Sequence, residues 1–150
     1  MKIYIASDHA GFELKKALIE HLKSKGEEVE DMGAHEFDKD DDYPDFVYPC
    51  AKKVGEEPGS LGIVIGWSGQ GEAFAANKAK GVRAVVYYGG NPEIIKLSKI
   101  HNSANVLSLG AGFLSDDEAK AAVDLWLATD FLNEERHVRR IEKISDLEKV

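Results

Sequence analysis

The stretch LGIVIGWSGQGE, residues 61–72, joins a short apolar run to a glycine-rich loop. The run 61–66 is rich in β-branched residues and predicts a buried strand, and AFAANKAK after the loop predicts a helix that begins near Gln70. Three glycines allow tight turns and close approach of a ligand, and a helix start offers free N–H groups to an anion. The loop lacks the Lys-Ser/Thr pair of a P-loop and does not fit GxGxxG, so nucleotide binding is not supported.

Short apolar runs and amphipathic stretches alternate along the chain in both directions from this loop. Further strands are predicted at 2–6, 28–32, 82–88 and 105–110, and further helices at 11–25, near 45–56, from Pro92 to about Ile100, from Asp116 to Ala128 and from Glu134 onward. Five alternations predict a five-stranded parallel sheet with right-handed crossovers and helices on both faces. The expected fold is a Rossmann-like three-layer α/β sandwich, with residues 1–150 as a single domain.

Composition limits the partners and the compartment. The chain has 150 residues and a formal net charge of -8, which argues against a general nucleic-acid binder because phosphate backbones require a basic face. A few local arginines still suffice for a phosphorylated small molecule. Cys50 is the single cysteine, and the chain shows neither a signal-like apolar segment nor an apolar run of membrane-spanning length. A cytoplasmic protein with no membrane partner is expected.

Ligands of parallel α/β sheets bind beyond the carboxyl ends of the strands, and this rule selects the first candidate site residues. Asp8 and His9 follow the first strand, and Ser68 and Glu72 follow the third. Structural interpretations exist beside the functional ones: Asp8 caps the next helix, Ser68 is a turn residue, and Glu72 is a first-turn acid that favours the helix dipole. His9 has no evident structural purpose. For the other three residues both interpretations stay open.

A second set of candidates lies nearer the carboxyl terminus. His101 and Asn102 end a predicted helix, where the helix dipole favours a histidine and an asparagine suits the C-cap. Arg136 and Arg140 are four residues apart, so they share one face of the last helix and can hold a phosphate from a fixed direction. A solvated face paired with neighbouring glutamates explains the same arginines, and both interpretations stay open.

Several motifs, in one order, resemble the ribose-5-phosphate isomerase B and galactose-6-phosphate isomerase family. They are SDHAGFELK (7–15), DYPDF (42–46), the GxSGxGE…AANK block (66–78), GVRA (81–84), HNSANVLSLG (101–110) and RHVRRIEKI (136–144). The resemblance extends from Lys2 to about Ile144 and is highly specific. It implies an aldose–ketose isomerase that interconverts ribose 5-phosphate and ribulose 5-phosphate by proton transfer through a cis-enediolate.

The resemblance also implies which residues carry the chemistry. One subtype of the family has a cysteine as the base just after the third strand, but that position is Gly66 here. The other subtype has a glutamate within GxSGxGE, and Glu72 matches it. A carboxyl group suits this proton transfer when burial raises its pKa. Ser68 and the N–H groups around Gly69 and Gly71 are implied to stabilise the charge on the enediolate oxygen.

Ring opening and substrate binding are implied for the remaining motif residues. His101, with Asp8 nearby, is implied to open the sugar ring, since only the open chain enolises. The implied binding residues are Tyr43 and Asn102 for hydroxyl groups, His9, Arg136 and Arg140 for phosphate, and His137 as a further substrate contact. No metal and no organic cofactor is expected. In the family the pocket lies at a subunit interface and the partner supplies the C-terminal segment, so a homodimer or homotetramer with shared sites is expected.

Three features depart from the family pattern at the rim of the expected pocket. Gly112 stands where the family commonly has a phosphate-binding arginine, the segment VVYYGGNPE (85–93) is longer than usual, and Trp67 replaces a small residue. Isomerases of another sugar or sugar phosphate, for example allose 6-phosphate or a tetrose phosphate, therefore remain alternatives. A non-catalytic sugar-phosphate-binding homologue would keep the pocket without turnover. A flavodoxin-like electron carrier would share the sheet order but needs a different phosphate loop.

Overall fold

In the computed structural model, which describes residues 1–149, strands and helices alternate along the whole chain. The strands are β1 (Lys2–Ser7), β2 (Glu28–Asp31), β3 (Leu61–Gly66), β4 (Ala84–Tyr87) and β5 (Val106–Gly110). The helices are α1 (Phe12–Ser24), α2 (Pro44–Glu56), α3 (Gln70–Ala76), α4 (Glu93–Ile100), α5 (Asp116–Leu127) and α6 (Glu135–Leu147), and a short 3-10 turn at His9–Gly11 precedes α1. Each predicted element is present, with ends shifted by a few residues.

The five strands form one parallel sheet in the order β2-β1-β3-β5-β4. The central strand β3 pairs with β1 through Ile63 opposite Ile5, and with β5 through Ile63 opposite Leu107. The flavodoxin order is 2-1-3-4-5, so the expectation that a flavodoxin-like carrier shares this sheet order is wrong. Here the chain forms β4 at the sheet edge and then returns to place β5 beside β3. The predicted three-layer α/β fold is confirmed.

Helices cover both faces of the sheet, as right-handed crossovers between parallel strands require. On one face α1, α4 and α5 enclose a core that includes Ile63, Leu107 and Trp126. On the other face α2 and α3 pack around Tyr4 and Val64. The helix after β3 therefore lies on the opposite face from the helices after β1 and β5, which opens a crevice at the carboxyl end of β3.

Two shifts from the predicted bounds have local causes. The helix after the glycine-rich loop ends early, at Ala76, because the next side chain, Asn77, donates to the Ala84 carbonyl at 3.1 Å and accepts from the Ala84 N–H at 2.8 Å. The first long helix begins only after Gly11, whose Cα packs against β3: a Cβ there would lie 2.7 Å from the Ile65 carbonyl oxygen. This close approach places the loop after β1 beside the end of β3.

Candidate active site

Glu72 lies just beyond the carboxyl end of β3, in the first turn of α3, and is 4% exposed. Burial raises the pKa of its carboxyl group, and the Asp8 carboxylate raises it further, while the backbone N–H groups of Glu72 and Gly69 act in the opposite direction. A buried carboxyl group with a raised pKa is suited to take a proton from carbon and return it.

The Glu72 carboxylate fills the space that a side chain at position 66 would need. A Cβ placed on Gly66 would overlap the carboxylate of Glu72. A cysteine at position 66 and the buried glutamate therefore exclude each other on this backbone, which gives the physical reason for the glycine. Cys50 does not replace the missing cysteine, because it is buried in α2 and burial raises the pKa of its thiol.

The glycine-rich loop is held in place by a buried hydroxyl group that the sequence analysis did not single out. Ser108 in β5 donates from Oγ to the Gly69 carbonyl at 2.7 Å, and Gly69 has a φ of +80°, which favours glycine. The half-buried Ser68 accepts a hydrogen bond from the Gln70 N–H at 3.3 Å. A hydroxyl group and the N–H groups that begin α3 are thereby fixed near Glu72.

Asp8 and Tyr43 reach the same edge of the sheet from two other segments. Asp8 is 6% exposed and caps the 3-10 turn by accepting from the Ala10 N–H at 3.0 Å. Burial raises the pKa of its carboxyl group. Tyr43 immediately precedes α2, and its hydroxyl oxygen would lie 2.5 Å from a Cβ on Gly71. Asp8 therefore caps the short 3-10 turn and not α1, whose N-cap is Gly11, and its position against the loop leaves a chemical role open as well.

His9 is paired with Asp41, which belongs to the acid-rich segment 38–42 and was not among the predicted site residues. Asp41 Oδ1 lies 2.6 Å from His9 Nδ1 and accepts from the His9 backbone N–H at 3.0 Å. The Asp41 hydrogen bond raises the pKa of His9. Ligand atoms of Asp8, His9 and Asp41 lie within 4.8 Å of one another, a separation that fits a metal ion. Since Nδ1 is already bonded to Asp41, His9 and Asp41 form a hydrogen-bonded pair, and Asp8 is a neighbouring acid.

Other predicted site residues lie at the amino ends of the strands, which form the edge of the sheet opposite Glu72 in the same chain. His101 and Asn102 follow the carboxyl end of α4, beside Arg83, which donates to the carbonyls of Asn102 and Ser103 at 3.1 and 2.8 Å. A five-residue strand such as β5 spans about 17 Å between the two edges. One chain alone therefore does not bring His101 to Glu72 or to the residues around it.

The helix α6 packs at this opposite edge too. His137 is buried and stacks on His101 with ring centroids 4.5 Å apart. Burial, and then the charges of His101 and Arg136, lower the pKa of His137. Arg136 and Arg140 are exposed, and Arg136 Nε lies 3.4 Å from a Glu134 carboxylate oxygen, the contact expected of a solvated face. The arginines of α6 thus lie away from the glycine-rich loop of their own chain.

An exposed aromatic cluster borders the glycine-rich loop on the side of β4 and β5. The Trp67 indole covers Gly112, where a Cβ would overlap the ring, and its centroid lies 6.5 Å from that of Phe113. Tyr88, from the longer segment after β4, packs against Phe113 at 5.7 Å in an edge-to-face arrangement. The three departures from the family pattern therefore meet in one structural feature, in which an indole fills the space of a side chain at position 112.

Comparison with known proteins assigns this fold and loop to a family. Residues 3–144 match the model of a family described as Ribose/Galactose Isomerase, and the chain belongs to this family. Its relatives are ribose-5-phosphate isomerases, so the class of this chain is an aldose–ketose isomerase, an intramolecular oxidoreductase. The resemblance noted from the motifs is confirmed.

Individual relatives narrow the class further. Ribose-5-phosphate isomerase B of Mycobacterium tuberculosis is 42% identical over 149 residues, which cover 99% of this chain and 91% of the relative. The crystal structure of ribose-5-phosphate isomerase B from Mycoplasma genitalium with bound ribulose-5-phosphate has a TM-score of 0.93 and 44% identity, with 99% and 96% of the two chains covered. Ribose-5-phosphate isomerase B of Clostridium thermocellum has a TM-score of 0.90 and 42% identity, with 99% and 98% covered.

Proposed function

We propose that this chain interconverts ribose 5-phosphate and ribulose 5-phosphate, with Glu72 as the base. The observation that carries the proposal is the buried Glu72 carboxyl group, with its raised pKa, packed against Gly66 at the carboxyl end of β3. Family membership and relatives named ribose-5-phosphate isomerase B support the substrate, as does a related structure that holds ribulose 5-phosphate. The scheme requires no metal and no organic cofactor.

Proton transfer proceeds in two half-reactions. The Glu72 carboxylate takes the proton from C2 of the open-chain aldose, the C–H electron pair forms the C1–C2 double bond, and the carbonyl oxygen at C1 takes the negative charge. Ser68 and the N–H groups around Gly69 and Gly71 stabilise that charge. After the O2 proton has moved to O1, a lone pair of O2 forms the C2 carbonyl group of the ketose, and the C1–C2 double-bond electrons take the proton from Glu72 at C1.

The site is complete only when a second copy of the chain places its opposite edge against the Glu72 edge. A sugar phosphate requires a cationic partner, and the arginines of this chain lie before β4 and on α6. The second copy supplies His101, which opens the sugar ring together with Asp8, and Asn102, which holds a hydroxyl group. It also supplies Arg136 and Arg140 of α6, which bind the phosphate, and His137 as a further substrate contact.

Exposed apolar side chains on both edges support such a contact. Beside the glycine-rich loop, Phe74 is 71% exposed and Tyr48 is 41% exposed; on α6, Leu147 is 79% exposed and Ile144 is 45% exposed. Apolar surface of this extent is typical of an interface between subunits. A homodimer with two shared sites, or a homotetramer built from such dimers, would bring arginines to the Glu72 edge and would cover the exposed apolar side chains.

The aromatic cluster favours a second candidate substrate class. Trp67 and Gly112 replace a cationic side chain by an indole at the rim, so a hexose phosphate such as allose 6-phosphate or a tetrose phosphate would meet a differently shaped wall. Purified protein offered ribose 5-phosphate, allose 6-phosphate and a tetrose phosphate in parallel distinguishes these substrates. The proposal requires the highest kcat/KM for ribose 5-phosphate, and no turnover of any sugar would indicate a non-catalytic binding protein.

The same proposal treats residues 1–150 as one sugar-phosphate isomerase domain that acts in the cytoplasm. The two cores lie on opposite faces of a single sheet, which supports one domain. Within residues 1–149, every helix is too short or too polar to cross a membrane.

A further inference from the structure

The loop before α2 carries three consecutive acids, and one of them turns inward. Asp40 and Asp42 are exposed, whereas the Asp41 side chain is 8% exposed. Both contacts to His9, from its ring and from its backbone N–H, go to Asp41 Oδ1. The second oxygen, Oδ2, is buried and has no hydrogen-bond partner among residues 1–149. A buried carboxylate with one unsatisfied oxygen is costly unless a cation lies beside it, and the His9 ring, 2.6 Å from Oδ1, is the titratable base that contacts it.

The charge of His9 depends on the groups that surround its ring. The hydrogen bond to Asp41 is the largest influence and raises the pKa of His9, burial lowers it, and the carboxylates of Asp8 and Asp38 raise it further. The Phe37 ring packs edge-on against the imidazole with centroids 6.4 Å apart and carries no charge. Because Nδ1 is bonded to Asp41, Nε2 is the ring nitrogen that remains to donate to a ligand.

We propose that Asp41 is a positioning residue of the isomerase, which keeps the His9 ring protonated and oriented so that Nε2–H donates to the substrate phosphate. This inference rests on the proposed function, in which His9 contacts the phosphate. Two contacts to one carboxylate oxygen fix the ring and the backbone of His9 together. Asp41 acts through His9 and takes no part in proton transfer at carbon.

The test is Asp41→Asn, which keeps the shape of the side chain and its acceptor oxygen but removes its charge. The His9 imidazole C–H signals are followed by NMR across a pH titration and are assigned by their loss in His9→Gln. We expect the pKa of His9 to fall by about one unit or more, since a contacting opposite charge shifts a pKa by roughly 1–3 units. The KM for ribose 5-phosphate should then rise about tenfold at a pH between the two His9 pKa values that the titration gives, and much less at a pH below both of them.

Asp40→Asn, an exposed neighbour in the same loop, is the matched control and should change neither the His9 titration nor KM. An unchanged His9 pKa in Asp41→Asn would overturn the proposal. So would an equal rise of KM at both pH values, which is the effect of a disturbed loop. A lowered His9 pKa with unchanged KM would show that His9 does not hold the phosphate and would also overturn it. If the wild-type protein does not convert ribose 5-phosphate, the proposed function fails, and the titration alone then decides whether Asp41 sets the charge of His9.

Discussion

At the scale of single residues, the Glu72 carboxyl group is held where its charged form is disfavoured. Its pKa is raised above the ordinary value of 4.5 by burial first and by Asp8 second. In the pH window between 4.5 and the raised value, the folded chain binds more protons at this group than the unfolded chain does. The contribution of Glu72 to folding stability therefore falls as pH rises through this window.

Glu72→Gln removes this pH-dependent cost and keeps the shape of the side chain. We expect the free energy of unfolding of the variant to equal or exceed that of wild type at pH 8, and the advantage to disappear below pH 4. Urea unfolding of the variant and of wild type at pH 8 and below pH 4 measures this difference in the free energy of unfolding. Glu93→Gln, an exposed first-turn glutamate of α4, is the control and should show no such trend. A variant that loses stability mainly at high pH would contradict the burial argument.

The contact between Trp67 and Gly112 predicts that the two positions depend on each other. Gly112→Arg alone forces a side chain against the indole, and because both positions are exposed and the indole can move aside, we expect it to lower the free energy of unfolding by about 1 kcal/mol or less. Trp67→Gly with Gly112→Arg clears the space, should recover most of that stability, and should lower the KM for ribose 5-phosphate relative to Trp67→Gly alone. Urea unfolding and steady-state kinetics check this. Additive effects of the two substitutions would show that the residues do not compete for one space.

At the scale of elements, α6 carries arginines, which the Glu72 edge lacks. Arg136→Ala removes an exposed guanidinium group without touching a core, so we expect an unchanged fold and a KM for ribose 5-phosphate about tenfold higher, the value of one charged hydrogen bond. Free ribose is the control substrate, because it has no phosphate to lose. An equal loss for both sugars would mean that the substitution damages the helix instead.

The elements themselves were predictable, because apolar runs and helical spacing report directly on burial. The order of the strands was not, since periodicity carries no information about which strands become neighbours, and the return of β5 to the side of β3 depends on the whole sheet. The early end of α3 depends on Asn77 pairing with a distant strand. Within the site, Asp41 was missed because a run of acids normally indicates a solvated loop, and only burial separates it from Asp40.

At the scale of the whole molecule, the two groups of proposed site residues lie on opposite edges of one sheet, so the site we propose is shared between two copies of the chain. Glu72→Gln and His101→Gln should each be inactive alone. When the two variants are unfolded together and refolded, mixed dimers contain one site with both native residues, and random pairing should restore about a quarter of wild-type activity. Refolding each variant alone is the control. No recovery on mixing would place both residues in the site of one chain.

The central claim is that a buried carboxylate, Glu72, moves a proton on ribose 5-phosphate. The most direct measurement is aldose–ketose interconversion in deuterated water by wild-type protein and by Glu72→Gln, with ribose 5-phosphate, free ribose and allose as substrates. We predict efficient turnover of ribose 5-phosphate by wild type, deuterium at the exchanged carbon, and a loss of at least about a thousandfold in the variant. Turnover of ribose 5-phosphate by Glu72→Gln at the wild-type rate, or preference of the wild-type protein for an unphosphorylated sugar, would contradict the account.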